Sequence, residues 1–348
     1  MKIIFIADNY FYKYSTGKTP SNFANYIVNN SNNYIKLIYT DSDINISHNE
    51  ILEINPDLII VLEINSFQEN TKKFKFIFEL NKPVYIFLDD SYYITTITSQ
   101  CPYVNLCNGI IFWYKNEKIN NSYRIKFPDK KILNFNSRYV NTEIYKDYKL
   151  DKKYDILLYG TRNFLYNYKN EELETIQNYI KNYEEKTNTI INDKINFYPL
   201  RNRLENILVK LSNKYSIKIL PEFTYHAQIV NEELSRLINQ SYLTISCPSI
   251  ADVLLHKFLE ISASKSVILG NYPSNYKDLF EGNIIEVNEY MSDEEIIDII
   301  DNALSDKNKL NEISERLYNK IHEEHNLDKA VNDFNKIIDK IKLNEMNY

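Results

Sequence analysis

The stretch SCPSIADVLLHKFLEISASKSVILGN, residues 246–271, decides the fold. It begins at the end of an apolar run, YLTISCP (242–248), passes a short loop, enters an amphipathic segment over 252–264, and leaves through a second apolar run, SVILGN (266–271). That order is strand, helix, strand. Continuous apolar runs without period-2 alternation indicate strands covered on both faces, as in a parallel sheet with crossover helices.

The same rhythm extends in both directions. Towards the C-terminus come NIIEV (283–287) and helical patterns at 292–304, 307–324 and 328–344. Towards the N-terminus lie helices at 231–240 and 200–212, and strands SIKILPE (216–222) and YDILLYG (154–160). A first set of strands is expected at 2–7, 34–40, 57–63, 83–90, 109–115 and 130–136, with helices at 20–30 and 66–81 between them. Alternating β and α elements on this scale predict an α/β protein with two Rossmann-like, doubly wound domains, whose strand ends face each other across a ligand cleft. The polar segment 137–153 reads as the linker and hinge. The expected division is 1–145, 154–327 and a terminal helix over 328–348 that packs back on the first domain. Residues 163–197 are too long for a βα connection and read as an inserted helical element with a solvated charged face.

With 348 residues, 44% hydrophobic and 25% charged, the chain has material for two cores. Its 41 Lys plus Arg against 47 Asp plus Glu give a net charge of −6, which argues against a general nucleic-acid binder. Cys101, Cys107 and Cys247 form neither a disulfide framework nor a zinc motif, and no metal-ligand cluster stands out; a reducing, cytoplasmic compartment fits. No run reaches the roughly 18 apolar residues of a membrane span, and the start MKIIFIADNYFYKY reads as a strand rather than a cleavable leader. Thirty Tyr against five Gly, with abundant Asn, Ile and Lys, report A/T-rich codons, as in a giant DNA virus, a low-GC bacterium or a protist. Tyrosines therefore carry little functional weight, and glycines more.

Within 246–271, Asp252 and Glu260 stand eight residues apart on the expected helix. A carboxylate at a strand's carboxyl end can accept both hydroxyls of a ribose, free amides near 252–255 can cradle phosphate, and Lys257 adds a cation. The spacing alone is common by chance; its place between two buried strands gives it meaning. Pro248-Ser249, Asp252, Glu260, Ile261-Ser262-Ala263 and Val267-Ile268-Leu269 together resemble the E-x7-E region of GT-B glycosyltransferases, notably group 1 (glycosyltransferase family 4) and its spore-protein-like branch. Val253-Leu254-Leu255 replace the usual Gly-Phe-Gly, and Lys265-Ser266 the usual Gly-Pro. YDILLYGTRN resembles the first donor-domain strand with its turn at Gly160, YPLRNRLENIL (198–208) the Tyr-Pro-x-Arg helix start, and HNLDKAVNDFNKII the C-terminal helix.

The resemblance implies a metal-independent transferase that moves a sugar from a nucleotide-diphosphate sugar, with UDP the preferred nucleotide, to a glycan or other hydroxyl acceptor. It implies retention of configuration and no cofactor. Glu260 would hold the ribose, Asp252 would lie at the donor sugar, and Arg201 and Lys257 would take the diphosphate, with Arg203 the other candidate or a solvated helix residue. Gly160, Arg162, His256, Leu254 and Leu255 would line the donor site, as would Gly17 in the loop after the first strand. Tyr225 and His226 would approach the base, and Asp90 would orient the acceptor hydroxyl or act as a base, if it does not simply cap a helix. A GT-B protein that binds nucleotide sugars without turnover, or a nucleotide-sugar epimerase, are the other readings. His322-Glu323-Glu324-His325 is not H-E-x-x-H and reads as a solvated helix end; Trp113 reads as core and Cys247 as inert.

Overall fold

The computed structural model describes residues 1–7, 20–39, 44–62, 75–88, 102–113, 116–167, 174–192, 194–222, 229 and 231–345. The chain forms two units. One holds Met1–Arg138 and Leu327–Tyr348; the other holds Tyr139–Asn326.

The first unit contains β1 (Lys2–Ala7), α1 (Pro20–Asn30), β2 (Tyr34–Tyr39), α2 (Ile44–Ile54), β3 (Leu58–Leu62), β4 (Val84–Leu88), β5 (Gly109–Phe112), α3 (Glu117–Lys126) and β6 (Lys131–Asn134). These strands make one parallel sheet in the order β2-β1-β3-β4-β5-β6. Every residue of β3, β4 and β5 is buried, as their unbroken apolar runs require. The C-terminal helix, Leu327–Glu345, belongs to this unit. It buries Phe334, Ile337, Ile338 and Ile341, with Phe334 against Phe5 at 5.4 Å between ring centroids. Each such side chain contributes roughly 1.5–3 kcal/mol of hydrophobic stabilisation. Asp333 accepts from the backbone and side-chain nitrogens of Asn136 at 2.9 and 2.7 Å, and Asn335 accepts from Ser31 at 2.8 Å. Trp113 is core, edge-on to Phe87.

The second unit contains β7 (Tyr154–Leu158), β8 (Leu165–Asn167), α4 (Glu174–Thr187), β9 (Lys194–Asn196), α5 (Pro199–Leu211), β10 (Ile217–Ile219), α6 (Asn231–Asn239), β11 (Ser241–Ile245), α7 (His256–Ala263), β12 (Val267–Gly270), α8 (Lys277–Phe280), β13 (Ile285–Glu286), α9 (Asp293–Ser305) and α10 (Lys307–Glu324). Its parallel sheet runs β10-β7-β11-β12-β13. Numbered within the unit, that is 2-1-3-4-5, the order with which the first unit's sheet also starts. The order reverses between β7 and β11, and ligands of open α/β sheets bind at the carboxyl ends beside such a point. Two apolar clusters cover the faces. One packs α7 through Phe258, Leu259 and Ile261, with Leu254 just before the helix; the other packs α5 through Leu200, Leu204, Ile207 and Leu208.

Several sequence expectations need correction. The unit boundary between Arg138 and Tyr139 falls inside 137–153, but the segment after it is not a free linker: Tyr139, Val140 and Tyr145 are buried, and Val140 and Tyr145 join the second unit's core. The insertion is not wholly helical, because β8 and β9 pair as an antiparallel hairpin with α4 between them. Of the helix expected at 66–81, residues Lys75–Glu79 form a short 3-10 turn and 66–74 lie outside the described residues. The helix expected from 252 starts at His256, since Asp252 takes a left-handed φ of +54° and Leu255 is extended. At the His322–His325 helix end Glu323 and Glu324 are exposed, but the two histidines are not solvated. His325 is buried near Tyr139, and the His322 ring meets the Ala263 carbonyl at 3.3 Å.

Candidate active site

The carboxyl ends of β7, β11 and β12 gather most of the described candidates. After β7 the chain turns at Gly160, whose φ is +87°; a Cβ there would stand 1.9 Å from the Lys257 Nζ. The glycine thus serves both the turn and the cation beside it. Gly270, at the end of β12, lets its backbone approach Ser246, where an added Cβ would meet the carbonyl at 2.0 Å.

Arg201 enters from the first turn of α5, just after Pro199 at the helix start. Its side chain is among the largest fully buried ones, at 1% exposure. One terminal nitrogen donates to the Thr161 carbonyl at 2.8 Å and the other to the Cys247 carbonyl at 3.0 Å, so it spans the ends of β7 and β11. The guanidinium also lies 4.1 Å from the centre of the Tyr198 ring. Among the described residues no carboxylate pairs with it, and its Nε has no hydrogen-bond partner. Burying a cation without a counter-ion is costly. The site is therefore electrostatically suited to an anion.

Lys257, on α7, is buried; its ammonium donates to the Tyr159 carbonyl and lies 4.1 Å from the centre of the Tyr159 ring. Glu260, one turn further along, is 2% exposed and accepts from the Tyr159 hydroxyl at 3.2 Å. The Tyr145 hydroxyl lies near the same carboxylate and has no hydrogen-bond partner among the described residues. Burial first, then the Glu260 charge, raises both phenols well above their usual range, so they remain protonated donors at neutral pH. Neither tyrosine was singled out by sequence reasoning; the position of Tyr159 immediately before Gly160 was the available signal.

Asp252 turns away from α7. Its two oxygens accept from the Ser274 amide, at 3.0 Å, and from the Ser274 hydroxyl. Arg162 is equally committed: it pairs with Glu205 at 2.8 Å and donates to the carbonyls of Gly160 and Leu220 at 3.0 and 3.1 Å. These contacts brace the Gly160 loop. Arg203 binds Asp293 and the Glu289 carbonyl rather than standing free. The Leu254 side chain, expected at the donor site, lies in the core, so that position can meet a ligand only through its main chain. Leu255 is half-buried and gives α7 no side-chain cap, and His256 beside it is half-buried. Cys247 is buried, which pushes its thiol up to about 12 and keeps it protonated. Asp90, Gly17, Tyr225 and His226 lie outside the described residues. Among the described residues no group of three His, Cys, Asp or Glu could hold a metal ion, and no helix is long and apolar enough to cross a membrane.

Residues 199–336 match the family model described as glycosyl transferase-like. Over almost its whole length the chain is similar in fold to solved structures. Sucrose-phosphate synthase from Thermosynechococcus elongatus gives a TM-score of 0.59 at 6% identity, covering 98% of this chain and 99% of that one. The fold is GT-B. HepE from Anabaena, solved with UDP and glucose, gives 0.54 at 9% identity over 98% and 99% of the two chains. A glycosyltransferase from Rickettsia africae gives 0.52 at 12% identity, with 98% of each chain covered. No curated protein matches the sequence at a significant level. The GT-B assignment agrees with the two Rossmann-like units, and the family match spans α5, β11, α7 and β12, while β7 and the Gly160 turn of the candidate site lie before it.

Proposed function

We propose that this protein is a glycosyltransferase that takes a sugar from a nucleotide-diphosphate sugar, with UDP as the nucleotide, and passes it to a hydroxyl acceptor. The observation that carries the reading is Arg201: a fully buried guanidinium at the switch point of the sheet, held by two main-chain carbonyls and, among the described residues, by no carboxylate. A diphosphate supplies the missing counter-charge, and a guanidinium binds phosphate oxygens through paired N–H groups. Lys257 and the side-chain-uncapped start of α7 add positive potential on the other side of β11. As the bond to the sugar breaks, negative charge grows on the leaving diphosphate, and fixed donors stabilise it there. The chemistry needs no further group from the protein beyond orientation of the acceptor, for which Asp90 is our candidate; transfer with retention is the stereochemistry we propose.

The test is calorimetry of UDP and uridine against the wild type and Arg201→Ala. A charged hydrogen bond to phosphate is worth about 1.5–3 kcal/mol, so UDP affinity should fall roughly 10- to 150-fold and uridine affinity by less than about 2-fold. Equal losses for both ligands would assign Arg201 to the fold and remove the reading.

A further inference from the structure

Glu289, in the loop after β13, lies near Cys247, whose carbonyl accepts from Arg201. Both charges act on the Cys247 thiol, the guanidinium and the carboxylate pulling it in opposite directions. Yet the two are not an ion pair. Glu289 is held elsewhere: its Oε2 accepts from the Asn271 side-chain nitrogen at 3.3 Å, and its carbonyl accepts from Arg203 at 3.1 Å. Tyr179 of α4 faces the same carboxylate, which together with burial raises its phenol far above the usual range. The inserted helix thus supplies a wall to this end of the sheet. The Oδ1 of Asn271 is buried and has no hydrogen-bond partner among the described residues. Two acceptors, one charged and one neutral, therefore sit side by side at the end of β12, one strand-end away from the buried guanidinium.

A nucleotide sugar carries its sugar directly on the second phosphate, so groups that read the sugar must adjoin the group that binds phosphate. Resting on the function proposed above, we infer that Asn271 and Glu289 accept hydrogen bonds from hydroxyls of the transferred sugar, and that Glu289 restricts the donor to neutral sugars. A sugar bearing a carboxylate would place like charges together in a site of low dielectric, which costs affinity. Glu289 is here a specificity-determining residue.

The experiment is calorimetry of UDP, UDP-glucose and UDP-glucuronate against the wild type, Glu289→Gln and Asn271→Asp. The wild type should bind UDP-glucose at least about 10-fold more tightly than UDP-glucuronate. Glu289→Gln should narrow that gap to under about 3-fold and leave UDP unchanged, while Asn271→Asp, which adds a charge at the same place, should widen it. A gap unaltered by both variants, or UDP weakened as much as UDP-glucose, overturns the subsite while the nucleotide site stands. Failure of the wild type to bind UDP at all removes the nucleotide site and this subsite with it.

Discussion

Replacing Glu260 by Gln tests the ribose assignment most directly. The carboxylate is 2% exposed and already holds the Tyr159 hydroxyl at 3.2 Å, so two roles compete: an anchor for Tyr159, and an acceptor for the 2′- and 3′-hydroxyls of a ribose. Gln keeps the shape and keeps a carbonyl for Tyr159, while removing the charge. Two charge-assisted hydrogen bonds to ribose are together worth about 2–4 kcal/mol, and neutral ones roughly half of that. UDP affinity should therefore fall by about 1–2 kcal/mol, or roughly 5- to 30-fold. A ligand lacking both hydroxyls, 2′,3′-dideoxy-UDP, should lose less than about 2-fold. Tyr159→Phe is the control for the anchoring role: it removes the internal donor and should lower stability by about 1–3 kcal/mol without discriminating the two ligands. Calorimetry on the wild type and both variants reads all of this. If Glu260→Gln weakens UDP and its dideoxy form alike, or neither, Glu260 is an anchor only and the ribose lies elsewhere.

Two further expectations concern stability. Lys265 holds a left-handed φ of +60° where glycine is the easier residue, but it bridges Asp147 at 3.1 Å and Glu315 at 2.6 Å. In urea titrations Lys265→Gly should stay within about 1 kcal/mol of the wild type, since relief of roughly 1 kcal/mol of backbone strain offsets two partly exposed ion pairs, whereas Lys265→Ala loses the pairs and keeps the strain; an Ala variant more stable than the Gly variant contradicts this. Lys152 donates to the carbonyls of Ser241 and Lys265 at 2.9 and 2.8 Å, and burial lowers its pKa to about 8. The unfolded chain, with lysine near 10.5, then binds more protons between those values, so this group's contribution to stability rises from about pH 8 to about pH 10.5, by up to roughly 3 kcal/mol. Comparing the pH dependence of unfolding in the wild type and Lys152→Met from pH 7.5 to 9.5 isolates it; identical slopes would show that Lys152 is not perturbed.

The fold was legible because its signal is local. Runs such as LIIVL at 58–62 and VILG at 267–270 announce two-sided burial without reference to anything distant in the chain. Glu260, Lys257 and Arg201 can be named as candidates because each sits beside a strand end or a helix start that the pattern locates. What escaped came from long-range contact. Glu260 meets Tyr159, 101 residues earlier, and Arg162 meets Glu222, 60 residues later. The segment 137–153 looked like a linker because its buried residues, Tyr139, Val140 and Tyr145, are separated by polar ones and show neither helical nor strand period. The charges of the insertion point to a helix with a solvated face, and α4 has one, with Thr175, Ile176 and Ile180 turned inward; the β8–β9 pairing beside it is long-range and gives no such signal.

The two acids of the eight-residue spacing show why a spacing is weaker than a position. On one continuous helix, eight residues at 100° each would leave Asp252 and Glu260 about 80° apart, near enough to serve one ligand. The helix does not reach Asp252. The backbone there is left-handed, and the chain between it and His256 buries Val253 and Leu254 in the core before α7 begins. Asp252 is instead fixed by the Ser274 amide and hydroxyl, which ties the entrance of α7 to the loop after β12. Its shorter side chain suits that task, since a left-handed Asp reaches nearby amides at little cost. That loop also carries Asn271, so Asp252 fixes the segment of chain that presents Asn271, while Glu260 lies on α7 itself.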